Sequence, residues 1–307
     1  MASRTARALL GGTIALLLFT GVTLAYVRQP VAPVSADTAL ERFRSAAPEP
    51  QASPVATPEP GSSAQPAEAA PSEPVATTPD PAGPTAAAPA PSPAPPPAAG
   101  GPAPMPKPRA GVYSYRTTGY EEVDALGGSR HDYPETTYMT IRDKGCGVVM
   151  RWQPLEERWD ESDVCPEGAD IALHRFTTYH EFFQQGQAQA YDCAPGSHVH
   201  RGGAPPGSEW TWRCQGEHGA IQTSVRVVGP EPVTVGGTTV EAMRVRYSSV
   251  ATGSSRGVQE QERWFDLRSG LLVRIQTDAM LQVDTPFGPT GYREQYRIDL
   301  LSLEPQT

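Results

Sequence analysis

Residues 271–283 (Leu271-Leu272-Val273-Arg274-Ile275-Gln276-Thr277-Asp278-Ala279-Met280-Leu281-Gln282-Val283) decide the fold class. Leu271, Val273, Ile275, Thr277, Ala279, Leu281 and Val283 occupy one parity, and mostly polar residues occupy the other. In a strand, successive side chains point to opposite faces, so this stretch predicts a long strand buried on one side. A second run follows in Tyr292, Tyr296, Ile298 and Leu300, with Arg293, Gln295, Arg297 and Asp299 on the opposite parity. Turn-forming groups separate such runs at Gly236-Gly237, Gly253-Ser254-Ser255, Arg268-Ser269-Gly270 and Pro286-Phe287-Gly288-Pro289. Phe176–Gln189 is the best helical candidate after Gly111, and it reads ambiguously. The expectation is an all-β domain of roughly nine to eleven strands, an antiparallel meander curled into an open or half β-barrel.

Working outward, composition divides the chain into three. Of the 34 prolines, 23 lie between Pro30 and Pro108. Residues 29–109 are rich in Pro, Ala, Ser and Thr and hold Phe43 as their only aromatic residue, so they read as a disordered or polyproline linker. Before them, Ala8–Val27 run without a charge. At ~1.5 Å per residue that length matches a hydrocarbon core of about 30 Å. Residues 1–28 are therefore expected to be a cytoplasmic N-terminus and a single transmembrane anchor. Arg4 and Arg7 favour an inside N-terminus, which places residues 110–307 outside the cytoplasm. The alternative is a cleaved signal peptide, with Val34-Ser35-Ala36 as its small-residue site.

The formal charge of −9 belongs to the domain after residue 109. An acidic domain is a poor partner for nucleic acid, whose phosphates require clustered cations. It therefore reads as a protein that binds no nucleic acid and meets the membrane through its N-terminal helix.

Four cysteines, Cys146, Cys165, Cys193 and Cys214, allow three pairings. A turn at Leu155-Glu156 would set Trp152 opposite Trp159 and Cys146 opposite Cys165. That register selects Cys146–Cys165 and leaves Cys193–Cys214, in an oxidising compartment. A structural zinc site is the rival reading, but the chain has no C-x-x-C or C-x-x-H spacing.

The six histidines are His131, His174, His180, His198, His200 and His218. His198-Val199-His200 would place two imidazoles on one side of a strand, half a metal site, in a Gly/Pro-rich setting that suits solvated side chains better. His180-Glu181 beside Tyr179 could form an acid–base pair, but no nucleophile motif accompanies it. Glu121-Glu122 and Glu156-Glu157 read as solvated. Trp210 and Trp212 share a face and read as core. Together with Trp152, Trp159 and Trp264 they offer the sharper alternative of an aromatic-lined ligand cavity. No dinucleotide, phosphate-loop, G-x-S-x-G or H-E-x-x-H pattern is present. The expectations are accordingly no catalytic residue, no metal and no cofactor.

Two resemblances rest on particular residues. Arg263-Trp264-Phe265-Asp266-Leu267-Arg268-Ser269-Gly270-Leu271-Leu272-Val273-Arg274 resembles a strand–turn–strand of lipoprotein-carrier (LolA-like) half-barrel proteins. That implies a curved sheet holding an apolar ligand. The chain also resembles uncharacterised membrane-anchored proteins of actinobacteria. This second likeness rests on Tyr113-x-Tyr115, Glu122–Gly128, Cys146-Gly147, Leu155–Asp160 and Tyr179–Phe183, and implies no activity. The functional expectation is a membrane-tethered, extracytoplasmic binding module for an apolar, lipid-like envelope ligand. A structural envelope spacer without a ligand pocket is the alternative, and an envelope hydrolase with an unfamiliar catalytic pattern is a third.

Overall fold

The computed structural model describes residues 31–46, 103–124, 128–182, 185–285 and 288–307. Among them are one helix, α1 (Ala36–Ser45), and fourteen strands. The first seven strands are β1 (Gly111–Asp124), β2 (Ser129–Asp132), β3 (Thr136–Lys144), β4 (Gly147–Leu155), β5 (Arg158–Glu167), β6 (Asp170–Phe182) and β7 (Gln185–Cys193). The others are β8 (His198–His200), β9 (Glu209–Gly216), β10 (Gly219–Val235), β11 (Thr238–Gly253), β12 (Ser255–Asp266), β13 (Leu272–Thr285) and β14 (Gly288–Leu300).

The strands pair antiparallel in nearly sequential order, and twelve of them close a ring because β14 returns to β1. The closure runs from Tyr115↔Leu300 to Asp124↔Gly291. The expected open or half barrel is thus corrected to a closed one. Pairing the first and last strands removes both free edges of the meander. β2 and β8 lie off the ring, against β1 and β6.

Local sequence explains the hairpins. Gly236 and Gly237 have φ of 53° and 84° and connect Val235↔Thr238, a two-residue turn that needs positive φ at both positions. The ambiguous stretch Phe176–Gln189 is not helical: it belongs to the β6–β7 hairpin. The β13 pattern holds, with Val273, Ile275, Thr277, Ala279 and Val283 buried and Gln276, Met280 and Gln282 exposed.

The β4–β5 register differs from expectation by one residue. Trp152 lies opposite Asp160 and Leu155 opposite Arg158, with an irregularity between Trp152 and Leu155. Pro154 falls in that irregular stretch, and proline cannot donate to the ladder. The turn therefore moves to Glu156-Glu157, and Trp152 and Trp159 end on opposite faces. Trp152 is buried in the core, whereas Trp159 stacks on Tyr179 at 5.4 Å with the Arg151 guanidinium 4.0 Å from its ring. Both disulfides form as expected. Cys146 sits in the β3–β4 turn and reaches Cys165 on β5, whereas Cys193 and Cys214 are directly opposed across β7 and β9.

Residues 31–46, expected as linker, are instead structured. Ser35 caps α1 by accepting from the Thr38 amide at 3.1 Å. Val34 and Ala39 are buried with Val112, flanked by Leu40, Phe43 and Tyr138. Arg42 donates to Gln153 and Glu156 on the barrel. The apolar burial and these bonds supply the ordering that the surrounding Pro/Ala-rich composition lacks. At the other end of that segment, Met105 is buried against the barrel. Residues 1–30 and 47–102, which contain the expected anchor and most of the expected linker, lie outside the described residues. Among the described residues no helix is long and apolar enough to cross a membrane.

Candidate functional site

A twelve-stranded ring is wider than the eight-stranded barrels that side chains readily fill. This barrel fills one end only. There Tyr113, Tyr115, Ile141, Phe265 and Ile298 are almost wholly buried. Trp152 and Tyr296 lie 4.4 Å apart, and Tyr115 donates to the Leu272 carbonyl at 2.7 Å. Toward the other end the lumen holds a cavity of ≈ 90 Å³ that is open to solvent.

One wall of the cavity is apolar: Phe176, Tyr191, Ile221, Ala279, Leu281 and Val283. Phe176 and Tyr191 stack with centroids 6.4 Å apart. Adjoining it is a network of ionisable groups from β1, β2, β5, β6 and β14, joined across the lumen between the unpaired strands β5 and β14. Arg158 of β5 donates from Nε and Nη2 to the two carboxylate oxygens of Glu294 on β14, each at 3.1 Å. Arg158 also meets Asp160, with 2.7 Å from Nη2 to Oδ2 and 2.7 Å from Nη1 to Oδ1. Tyr133 donates to Glu294 as well. Next to this centre, Tyr292 donates to Glu121 at 3.2 Å, His131 Nδ1 lies 3.1 Å from Glu121, and His180 Nε2 lies 3.2 Å from the Tyr292 hydroxyl.

Burial and charge set the protonation of this wall. Burial works to raise the Asp160 carboxyl, but the Arg158 guanidinium outweighs it and holds Asp160 below the ordinary range. Glu294 goes the other way: burial lifts it above the ordinary range despite Arg158. Burial would also raise Glu121, yet the His131 hydrogen bond and the Arg158 charge together keep it low. His180, enclosed by protein and next to Arg158, is pushed down to about 4 and stays neutral near pH 7.

The structure redistributes the residues singled out in the sequence. His180 faces the cavity, but Glu181 lies on the outer face, accepting from Tyr179 at 3.2 Å; the alternative of a His180-Glu181 acid–base pair is not formed. His198 sits 3.2 Å from Glu167, and His200 packs on Phe265 with ring centroids 5.4 Å apart. His174 lies beside Cys165 at 3.7 Å, next to sulfurs already joined in the disulfide. His218 is exposed beside Glu217 in the β9–β10 turn. Glu121, read as solvated, is buried and central. Trp210 and Trp212 join the core as expected. No tryptophan lines the cavity, so its aromatic wall consists of Phe176, Tyr191 and Tyr292 instead.

No protein-family model matches the chain, and no curated protein matches it. Among solved structures it is similar to the hypothetical lipoprotein YmcC from Escherichia coli K12. The TM-score is 0.29 at 11% identity, over 64% of this chain and 85% of that one. A likeness of that size defines neither fold nor activity for this chain, and none of these matches shows membership of an actinobacterial family.

Of the central residues, Glu294 was not singled out in the sequence, and Arg158 and Asp160 entered only within the Leu155–Asp160 likeness, without a role. The signal was parity: Glu294 stands between Tyr292 and Tyr296 on the inward-facing positions of β14, and Glu121 precedes buried Val123 by two. A charged residue at an inward position of a strand must find a partner across the lumen or remain wet.

Proposed function

We propose that this chain is an extracytoplasmic binding module that takes up one apolar, lipid-like molecule of the cell envelope and releases it unchanged. The observation that carries this reading is the hollow half of a barrel whose other half is packed. Concave, mostly apolar sites with a few convergent polar groups are where small molecules bind. A structural spacer would have no use for such a lumen and would be better served by a filled one. Two disulfides support an oxidising compartment. The uncharged run Ala8–Val27 supports a single-pass anchor ahead of the domain.

Native mass spectrometry of the chain extracted from its own envelope tests this reading. The expected result is an adduct that disappears on denaturation, together with a thermal shift on adding envelope lipids. A clean apo mass with no such shift would leave the spacer reading ahead.

A further inference from the structure

The polar wall also constrains what the bound molecule can carry. Among the described residues Arg158 is the only lysine or arginine lining the cavity, and its charge is already paired with two carboxylates. A guanidinium has five N–H donors. Nε and one Nη2 hydrogen face Glu294 and a second Nη2 hydrogen faces Asp160, while Nη1 lies 2.7 Å from the other Asp160 oxygen as an ion pair without a hydrogen bond. Glu294 is correspondingly occupied, because both its oxygens accept from Arg158 and one accepts from Tyr133 too, and Asp160 accepts from Arg158 through Oδ2. An incoming carboxylate or phosphate would find no bidentate fork to enter and two anions beside the only cation. An incoming ammonium would find carboxylates already paired with the Arg158 cation.

What the cavity offers is neutral: Gln187, Gln259 and Ser255 line it and make no side-chain hydrogen bond to other described residues, while Thr178 and Ser249 present hydroxyls nearby. Amides and hydroxyls both donate and accept, which suits a head that does the same. Resting on the binding reading above, we propose that the ligand is a neutral amphiphile. Its hydroxyl- or amide-bearing head meets these side chains, and its hydrocarbon tail lies along Phe176, Ile221, Ala279, Leu281 and Val283. The site discriminates against anionic heads because the charge of Arg158 is already paired with Asp160 and Glu294.

The test uses the full chain in amphipol at neutral pH, titrated with amphiphiles that share one saturated tail. The heads are a glycerol ester, a primary amide, a carboxylate, a phosphate and an ammonium. The cavity-filling variants Ala279→Trp and Leu281→Trp report binding elsewhere on the chain, the apolar run included, and only binding lost in at least one of them is counted. The neutral heads should bind roughly tenfold or more tighter than the carboxylate and phosphate, since Asp160 and Glu294 repel a like charge brought beside them. Glu294→Gln, and independently Asp160→Asn, should release half of the Arg158 fork and narrow that gap by roughly tenfold. A charged head binding as well as the neutral ones would overturn the head assignment while leaving the binding reading in place. A gap unchanged in both variants would overturn the charge pairing of Arg158 as its cause. No tail-matched compound binding in the cavity would overturn the binding reading itself.

Discussion

Arg158 and Glu294 are joined by two hydrogen bonds of 3.1 Å although their strands, β5 and β14, are not paired in the sheet. The pair is a strut across the lumen, and both side chains are only 3% exposed. Removing one member of a buried ion pair leaves the other charge uncompensated, which costs about 3–5 kcal/mol. Arg158→Met should show this loss in chemical denaturation, because it leaves Asp160 and Glu294 side by side without their cation. Glu294→Gln should cost less, since Asp160 still meets Arg158. Equal stability of Arg158→Met and wild type would show that the strut does not hold the barrel.

The weakest join in the ring is between β7 and β9, which pair only from Tyr191↔Gly216 to Cys193↔Cys214. The second disulfide closes this seam. The two bridges enclose similar separations, 19 and 21 residues, so chain entropy assigns each about 3 kcal/mol. Their local effects should differ. Replacing Cys193 and Cys214 by alanine should speed amide exchange in β7 and β9, whereas replacing Cys146 and Cys165 should leave those strands protected. Exchange in β7 and β9 that responds equally to both double variants would contradict the seam.

His200 supplies a pH dependence of definite sign. It is 2% exposed, and burial, opposed by Asp170, lowers it to about 4. In the unfolded chain it titrates near 6.5. Between those values the unfolded state binds a proton that the folded state does not, so this contribution is complete above about pH 6.5 and is lost as pH falls toward 4. His180 acts in the same direction, and Glu294, raised in the fold, acts in the opposite one. Urea titrations from about pH 7 to about pH 5 should show wild type losing about 1–2 kcal/mol more than His200→Phe. Parallel profiles would refute the assignment.

Much of the barrel was legible in the chain because strand burial has a period of two and its turns carry Gly, Pro and Ser. Gly236-Gly237 and Arg268-Ser269-Gly270 connect the strands they were expected to connect. Closure was not legible, since the pairing of Val123 with Tyr292 joins residues at opposite ends of the domain and no local pattern encodes it. The β4–β5 register was missed because Pro154 displaces the turn by one residue. The disulfide Cys146–Cys165 survives the slip because Cys146 lies in a turn and not in the ladder. Helix α1 was hidden by its neighbours' composition, although Ser35 as cap with Ala39, Leu40 and Phe43 behind it spells a short amphipathic helix. The site was missed for a related reason. Apolar parity located the lumen, but charged residues on that same parity, Glu294 and Glu121, were not read as part of it.

The central claim is that the open half of the barrel is a binding cavity, and titrating the full chain with the apolar fluorophore 1-N-phenylnaphthylamine tests it most directly. The account predicts a saturable site with a stoichiometry of about one, abolished in Ala279→Trp and competed by the envelope ligand. Fluorescence that rises without saturation, or that is unchanged in the filled variant, would contradict it.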